Sequence, residues 1–215
     1  MIQKFLKAKH WQLFILMFAI PFLLQMILMM RMMSTMMSGI ENEYMKPDSF
    51  FQIFESFGYM LPIIMIFNMI FYFGWFWSIG VGLQKYVPSD VNLKVNRFKF
   101  TLIFPLIYIT FIAIGISWMF SGIAADPNSF PQSISPLVFL IIPLHFFSMA
   151  CMFYNLYYVS KTLKTVELQR EAKIGECLKE VILFWFYIVG VWILQPQINR
   201  IVSDENQSNK NLMNS

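Results

Sequence analysis

Apolar residues in this chain fall in long continuous runs, without the three-to-four spacing of a half-buried helix or the alternation of a strand. The first run is Trp11–Met30, with a Met-rich extension to Gly39, a residue that commonly closes a helix. The second is about Phe57–Gly82, the third Phe100–Phe120 and the fourth Pro136–Val159. Runs of about twenty apolar residues are the length at which a helix crosses a hydrocarbon core. The fifth, Val181–Leu194, has 14 uninterrupted apolar residues, short of a ~30 Å core at about 1.5 Å per residue. It spans only by recruiting Leu178 and Ile198 while Lys179 snorkels to water; a re-entrant or interfacial helix is the alternative.

These runs predict an all-α, polytopic helical membrane protein with four transmembrane helices and a short fifth. Residues 1–200 form one membrane domain, with spans near 11–30, 57–82, 100–120, 136–159 and 178–198. The Asn/Ser-rich segment 201–215 is expected to be a disordered polar tail. Between the runs, Pro47 with Asp48 or Ser49 signals a helix leading into run two. Val91–Phe100 alternates apolar and polar residues and is expected to lie extended on the membrane surface. Thr162–Glu180 reads as a charged helical region broken near Gly175.

Composition agrees with this. The chain is 58% hydrophobic and 13% charged, whereas soluble domains carry about 25% charged residues to face water. The net charge of +4 matters through its placement. Lys4, Lys7 and Lys9, then Lys85, Lys94, Arg97 and Lys99, then Lys161, Lys164, Arg170, Lys173 and Lys179 fall on one side of the threading. Arg31 and Lys46 fall on the other, joined by Arg200 and Lys210 if the fifth run crosses. The positive-inside rule then puts the N-terminus in the cytoplasm. The basic residues flank apolar runs instead of clustering on a folded surface, so no nucleic-acid partner is expected. Trp11–Met30 is too long for a secretory h-region and no small-residue cleavage site follows it, so it reads as an uncleaved span. Cys151 and Cys177, in a run and in a cytoplasmic loop, do not suggest a disulfide.

Gly74, Ser78 and Gly82 recur every four residues in run two, and Ala113, Ser117 and Ser121 do so in run three. Such small-residue faces let helix backbones approach closely in lipid. The two patches lie in opposite leaflets, so each needs its own partner: another helix of the chain, a second copy, or another membrane protein. Pro21, Pro62, Pro105 and Pro143 interrupt the first four runs and free the carbonyls of Met17, Gly58, Thr101 and Phe139. In lipid, each freed carbonyl must find a donor on a neighbouring helix or in water.

Asn68, Thr110 and His145 fall near the middle of their runs, with Ser148 one turn from His145. They form either a hydrogen-bonded clamp between runs two, three and four or a polar binding site at the membrane centre. The methionines around Met29, Met33 and Met36 are soft ligands suited to Cu(I). No Cys or His accompanies them, so lipid-facing or structural methionine is favoured and no metal or cofactor is assigned. The chain lacks a Gly-rich phosphate loop, HExxH, GxSxG and paired intramembrane carboxylates, and no catalytic residue is named.

The stretches GWFWSIGVGLQKYVP and RFKFTLIFP, between Gly74 and Pro105, and KTLKTVELQREAKIGE and GVWILQPQINR, between Lys161 and Arg200, are similar to segments of an uncharacterised family of small bacterial multi-spanning membrane proteins. The resemblance implies a bacterial inner-membrane location and brings no activity or ligand. Three functional expectations stand. The first is a non-catalytic subunit or accessory membrane factor. The second is a small transporter or channel for a neutral or hydrophobic solute using the central polar layer. The third, with least support, is a lipid-acting enzyme using loop acids such as Glu167 and Glu171.

Overall fold

The computed structural model describes residues 2–41, 47–125 and 134–213, with side chains described for 2–38, 58–119, 121–122 and 139–204. Every regular element among these is helical. Helix α1 (Ile2–Lys7) precedes α2 (His10–Phe14), which passes through a π turn (Ile15–Ala19) into α3 (Ile20–Glu41). Then come α4 (Pro47–Gly82), α5 (Val95–Ala125), α6 (Ile134–Leu168), α7 (Leu178–Trp185) and α8 (Tyr187–Met213). Four segments, His10–Ser38, Gly58–Tyr86, Val95–Met119 and Phe139–Leu168, are long and apolar enough to cross a membrane. This is an integral membrane protein with an all-α, polytopic fold.

The proline breaks organise the packing. Pro105 cannot donate to the Thr101 carbonyl, and Asn155 of α6 does so instead, its Nδ2 lying 2.8 Å from that oxygen. Thr101 returns a hydroxyl bond to Asn155 Oδ1 at 2.8 Å, and both residues are buried. Pro21 likewise leaves the Met17 carbonyl within the π turn, where the Tyr187 hydroxyl donates to it at 3.4 Å.

The fifth run does not cross as one helix, so the expected span 178–198 is corrected to a re-entrant hairpin. α7 ends at Trp185, Phe186 takes a non-helical conformation (φ −91°, ψ 58°), and α8 runs back the way α7 came. The contacts show the reversal. α7 enters beside Lys164, which meets Glu180 at 3.4 Å, and reaches Phe153, whose ring stacks on Trp185 at 5.2 Å. Along α8, Tyr187 sits at Met17, Trp192 at Phe14 and His10, and Gln195 at Ala8. Gly190 permits the tight turn, because a Cβ there would lie 1.8 Å from the Leu183 carbonyl oxygen. A run too short to span resolves its length mismatch by turning back, with the turn residues Trp185 and Phe186 half or more exposed. Arg200 therefore returns to the lysine-rich end, lining a cleft with Lys85 and Glu167.

Other boundaries also move. α5 starts at Val95, so only the residues just before it are extended, and Arg97 and Lys99 lie in its first turns. α6 breaks at Gln169, which takes a positive φ of 51° at the position usually given to glycine, and not near Gly175. α8 stays helical through Met213, where composition pointed to a disordered tail from residue 201. Its turns are held to the core by buried Ile198 and Val202, and helix propagates cheaply from an anchored turn.

The core sits in the lysine-rich half. Trp75, Phe76, Ile79, Leu83, Phe98, Leu163 and Phe184 are almost fully buried there. α1 closes it by lying across the small-residue face of α4. A Cβ on Gly74 would come within 2.9 Å of the Phe5 ring, and one on Gly82 within 2.6 Å of Ile2. Gln195 secures this arrangement. Its Nε2 donates to the carbonyls of Phe5 and Ala8, each at 2.9 Å, and its Oε1 accepts from Trp75 Nε1 at 2.9 Å. It thereby satisfies end carbonyls that α1 leaves without helical donors.

Candidate functional site

A cavity of about 550 Å³ lies between α4, α5, α6 and the tip of the α7–α8 hairpin. Its wall is mostly apolar, including Met65, Met69, Phe73, Ile109, Met152 and Leu156. Polar side chains enter it from four helices: Asn68 and Tyr72 from α4, Tyr108 from α5, His145 and Ser148 from α6, and Tyr187 from α8. Size and lining are those of a small-molecule pocket, a concave apolar surface with few polar groups.

The polar groups divide into two kinds. Tyr108 contacts His145 Nδ1 at 3.3 Å and Tyr187 is turned to Met17, so these hydroxyls join helices. Asn68, Tyr72 and Ser148 make no hydrogen bond to any described residue, although all three line the cavity. Ser148 is buried. Asn68 and Tyr72 are half-buried, so their polar groups remain available to whatever occupies the cavity.

The cavity thus gathers Asn68, His145 and Ser148 of the central polar layer, but not Thr110. Thr110 donates to its own helix at the Leu106 carbonyl, 2.8 Å away, and Tyr108 takes its place opposite His145. Depth along a run was readable from sequence, but rotation about the helix axis was not, since the 100° between neighbours depends on what each face meets. Tyr72, Tyr187 and Trp185 were missed for the same reason, because an aromatic inside an apolar run reads as core or lipid contact until the rotation of its helix is known. Asn155 and Gln195 were missed too. Asn155 is a polar residue inside an apolar run, and Gln195 sits just past the fifth run, immediately before Pro196.

The remaining candidates lie outside the cavity. Gly74, Ser78 and Gly82 form the groove filled by α1. Ala113 is buried, while Ser117 and Ser121 are half-buried. Met29, Met33 and Met36 are exposed on α3, facing outward. Among the described residues no three His, Cys, Asp or Glu side chains come together as a metal site. His145 and Ser148 share the cavity without a hydrogen bond between them, and no activated nucleophile results.

At the lysine-rich end, ion pairs brace the loop that feeds the hairpin. Lys161 meets Glu171 at 2.6 Å, and Arg170 grips Glu176 through both guanidinium nitrogens at 2.5 and 3.1 Å. Arg170 and the Lys173 backbone N–H together hold the Glu176 carboxyl down to about 2. Cys177 is buried, and burial pushes its thiol above the ordinary range. No protein-family model, curated protein or solved structure matches this chain.

Proposed function

We propose that this chain is a non-catalytic component of the bacterial cytoplasmic membrane, its lysine-rich end inside, that binds a neutral, largely apolar molecule in the cavity. The observation that carries the reading is the convergence of Asn68, Tyr72 and Ser148, unpaired among the described residues, on one apolar cavity. Charge is absent from the cavity lining, so the ligand is neutral. This is the solute-handling reading of the polar layer, reduced to its binding step. The small-residue face of α4, expected to pack against another helix of the chain, a second copy or another membrane protein, is filled by α1.

The physics of a lipid-phase site defines the ligand further. A molecule already dissolved in acyl chains gains no hydrophobic free energy by entering an apolar pocket. Selection therefore rests on its polar handle: a hydroxyl, carbonyl or amide that meets Asn68, Tyr72 or Ser148. Two such bonds, at about 0.6 kcal/mol each on average and at most ~1.7 in membranes, enrich the ligand over bulk lipid by roughly 8- to 300-fold. An alkane of equal length gains nothing.

The test uses the full chain in lipid nanodiscs with two photoreactive diazirine probes, a long-chain alcohol and the matching alkane. The alcohol should label the peptides carrying Asn68 and Ser148 saturably, in competition with the unmodified alcohol, and Ser148→Phe should abolish this. Equal, non-saturable labelling by both probes would refute the binding site.

A further inference from the structure

We infer that the groove between α4 and α5 seats one acyl chain of an anionic phospholipid, whose headgroup meets Lys99 and Trp77 at the lysine-rich end of the groove. This site is separate from the cavity, and Phe73 stands between them, lining both.

The groove follows from the spacing of residues along the two helices. Ile70, Phe73, Gly74 and Trp77 recur at the three-to-four spacing of one face of α4, and Lys99, Leu102, Ile103 and Leu106 do the same on α5. The helices pack along each other, and the apolar members of the two faces line a valley of about 230 Å³. Its floor is Phe73 and Leu102, 7% and 3% exposed, and its lips are Ile70 and Ile103, 48% and 43% exposed. It is thus open sideways to lipid and fills without any movement of the protein. From Ile70 to Trp77 it runs about 10.5 Å, most of the ~15 Å hydrocarbon depth of one leaflet.

At the lysine-rich end the groove meets two donors that lack an acceptor. The half-buried Lys99 ammonium lies 5.9 Å from the centre of the Trp77 ring, within cation–π range, and makes no hydrogen bond or ion pair to any described residue. The Trp77 indole N–H likewise has no acceptor among the described residues. Nearby carboxylates are engaged elsewhere: Glu167 and Glu180 by Lys164, Glu171 by Lys161, and Glu176 by Arg170. Arg97, two residues before Lys99 and about 200° around the helix, lies instead over Tyr154 of α6 at 5.2 Å.

These donors select the occupant. An acyl chain gains no hydrophobic free energy by leaving bulk lipid for an apolar groove, so the chain sets the register and the headgroup decides which lipid stays. A phosphate with net negative charge accepts from both donors. A zwitterionic headgroup brings its own cation against Lys99. One lysine at the membrane surface favours the anionic lipid by about fivefold.

The test uses the full chain in phosphatidylcholine nanodiscs doped with a trace phospholipid that carries a diazirine midway along one acyl chain. The probe's headgroup is either phosphatidylglycerol or phosphatidylcholine, and mass spectrometry reads labelling of segments 70–77 and 102–106. The anionic probe should label them about fivefold more than the zwitterionic one and be displaced by unlabelled phosphatidylglycerol. Lys99→Gln should bring that ratio to about one and Lys99→Arg should keep it. Arg97→Gln, which removes the same charge from the opposite face of α5, should leave it unchanged. An equal loss with Arg97→Gln would mean a diffuse surface potential and overturn the site. A lack of label at both segments from either probe would mean that protein covers the groove, and would overturn it as well. Neither result bears on the cavity, which the long-chain alcohol tests.

Discussion

Asn155→Leu offers a sharp test of how this bundle is held together, because it keeps the branched shape of the side chain and removes its amide. In the native protein Asn155 donates to the Thr101 carbonyl at 2.8 Å and accepts from the Thr101 hydroxyl at 2.8 Å. The carbonyl needs this donor because Pro105, four residues on, has no N–H. The hydroxyl has other acceptors, at the Arg97 and Phe98 carbonyls, each 3.0 Å away, and survives the change. The carbonyl does not. Stranding it costs about 1–3 kcal/mol, and an interhelical polar contact in lipid is worth about 0.6 kcal/mol and at most ~1.7. The expected loss is ~2–3 kcal/mol. Pro105→Ala alone should be close to neutral, since its restored N–H competes for an oxygen already bonded. Combined with Asn155→Leu, that N–H becomes the missing donor, and at least ~1 kcal/mol should return. The cycle is measured by reversible unfolding in mixed bicelles. If the two substitutions add to within about 0.3–0.5 kcal/mol, Asn155 is not compensating the proline break and the reasoning fails.

Three further outcomes are expected. Gly190→Ala places a Cβ 1.8 Å from the Leu183 carbonyl oxygen, so it should destabilise by at least the ~3 kcal/mol upper end of overpacking, while Gly175→Ala, with open space around it, should stay within about 0.5 kcal/mol; equal midpoints in thermal melts would contradict the hairpin. Reporter domains fused after residue 213 and inserted within the 85–94 connection should report the same side of the membrane, and opposite sides would mean that the fifth run crosses after all. The Glu176 carboxyl, held to about 2 against an ordinary 4.5, contributes stability that is complete above pH 4.5 and is lost as pH falls through about 2; Arg170→Gln should move its NMR titration back toward 4.5, and an ordinary value in the unmodified protein would remove the clamp.

Residue by residue, the division between what was legible and what was not follows one line. Lipid imposes its demand on every residue of a run at once, so the existence of the first four helices could be read from their length and lack of charge. The same demand made the proline-freed carbonyls of Thr101 and Met17 predictable as places needing a donor. The sequence did not reveal that Asn155 and Tyr187 are those donors, because a donor's identity depends on which helices are neighbours and how each is rotated. Asn68, His145 and Ser148 could be chosen by depth, whereas Thr110 was lost and Tyr108 gained because one residue's turn about the axis exchanges a cavity for the helix's own backbone. The fifth run was ambiguous for a plain reason. Its 14 apolar residues are enough to enter the bilayer and too few to leave on the far side. The length and spacing of the apolar runs by themselves determined that this protein lives in the membrane as helices. Tertiary structure decided where the fifth run turns, which polar groups found partners and which were left facing a cavity, since those depend on contacts between residues as distant in the chain as Phe5 and Gln195.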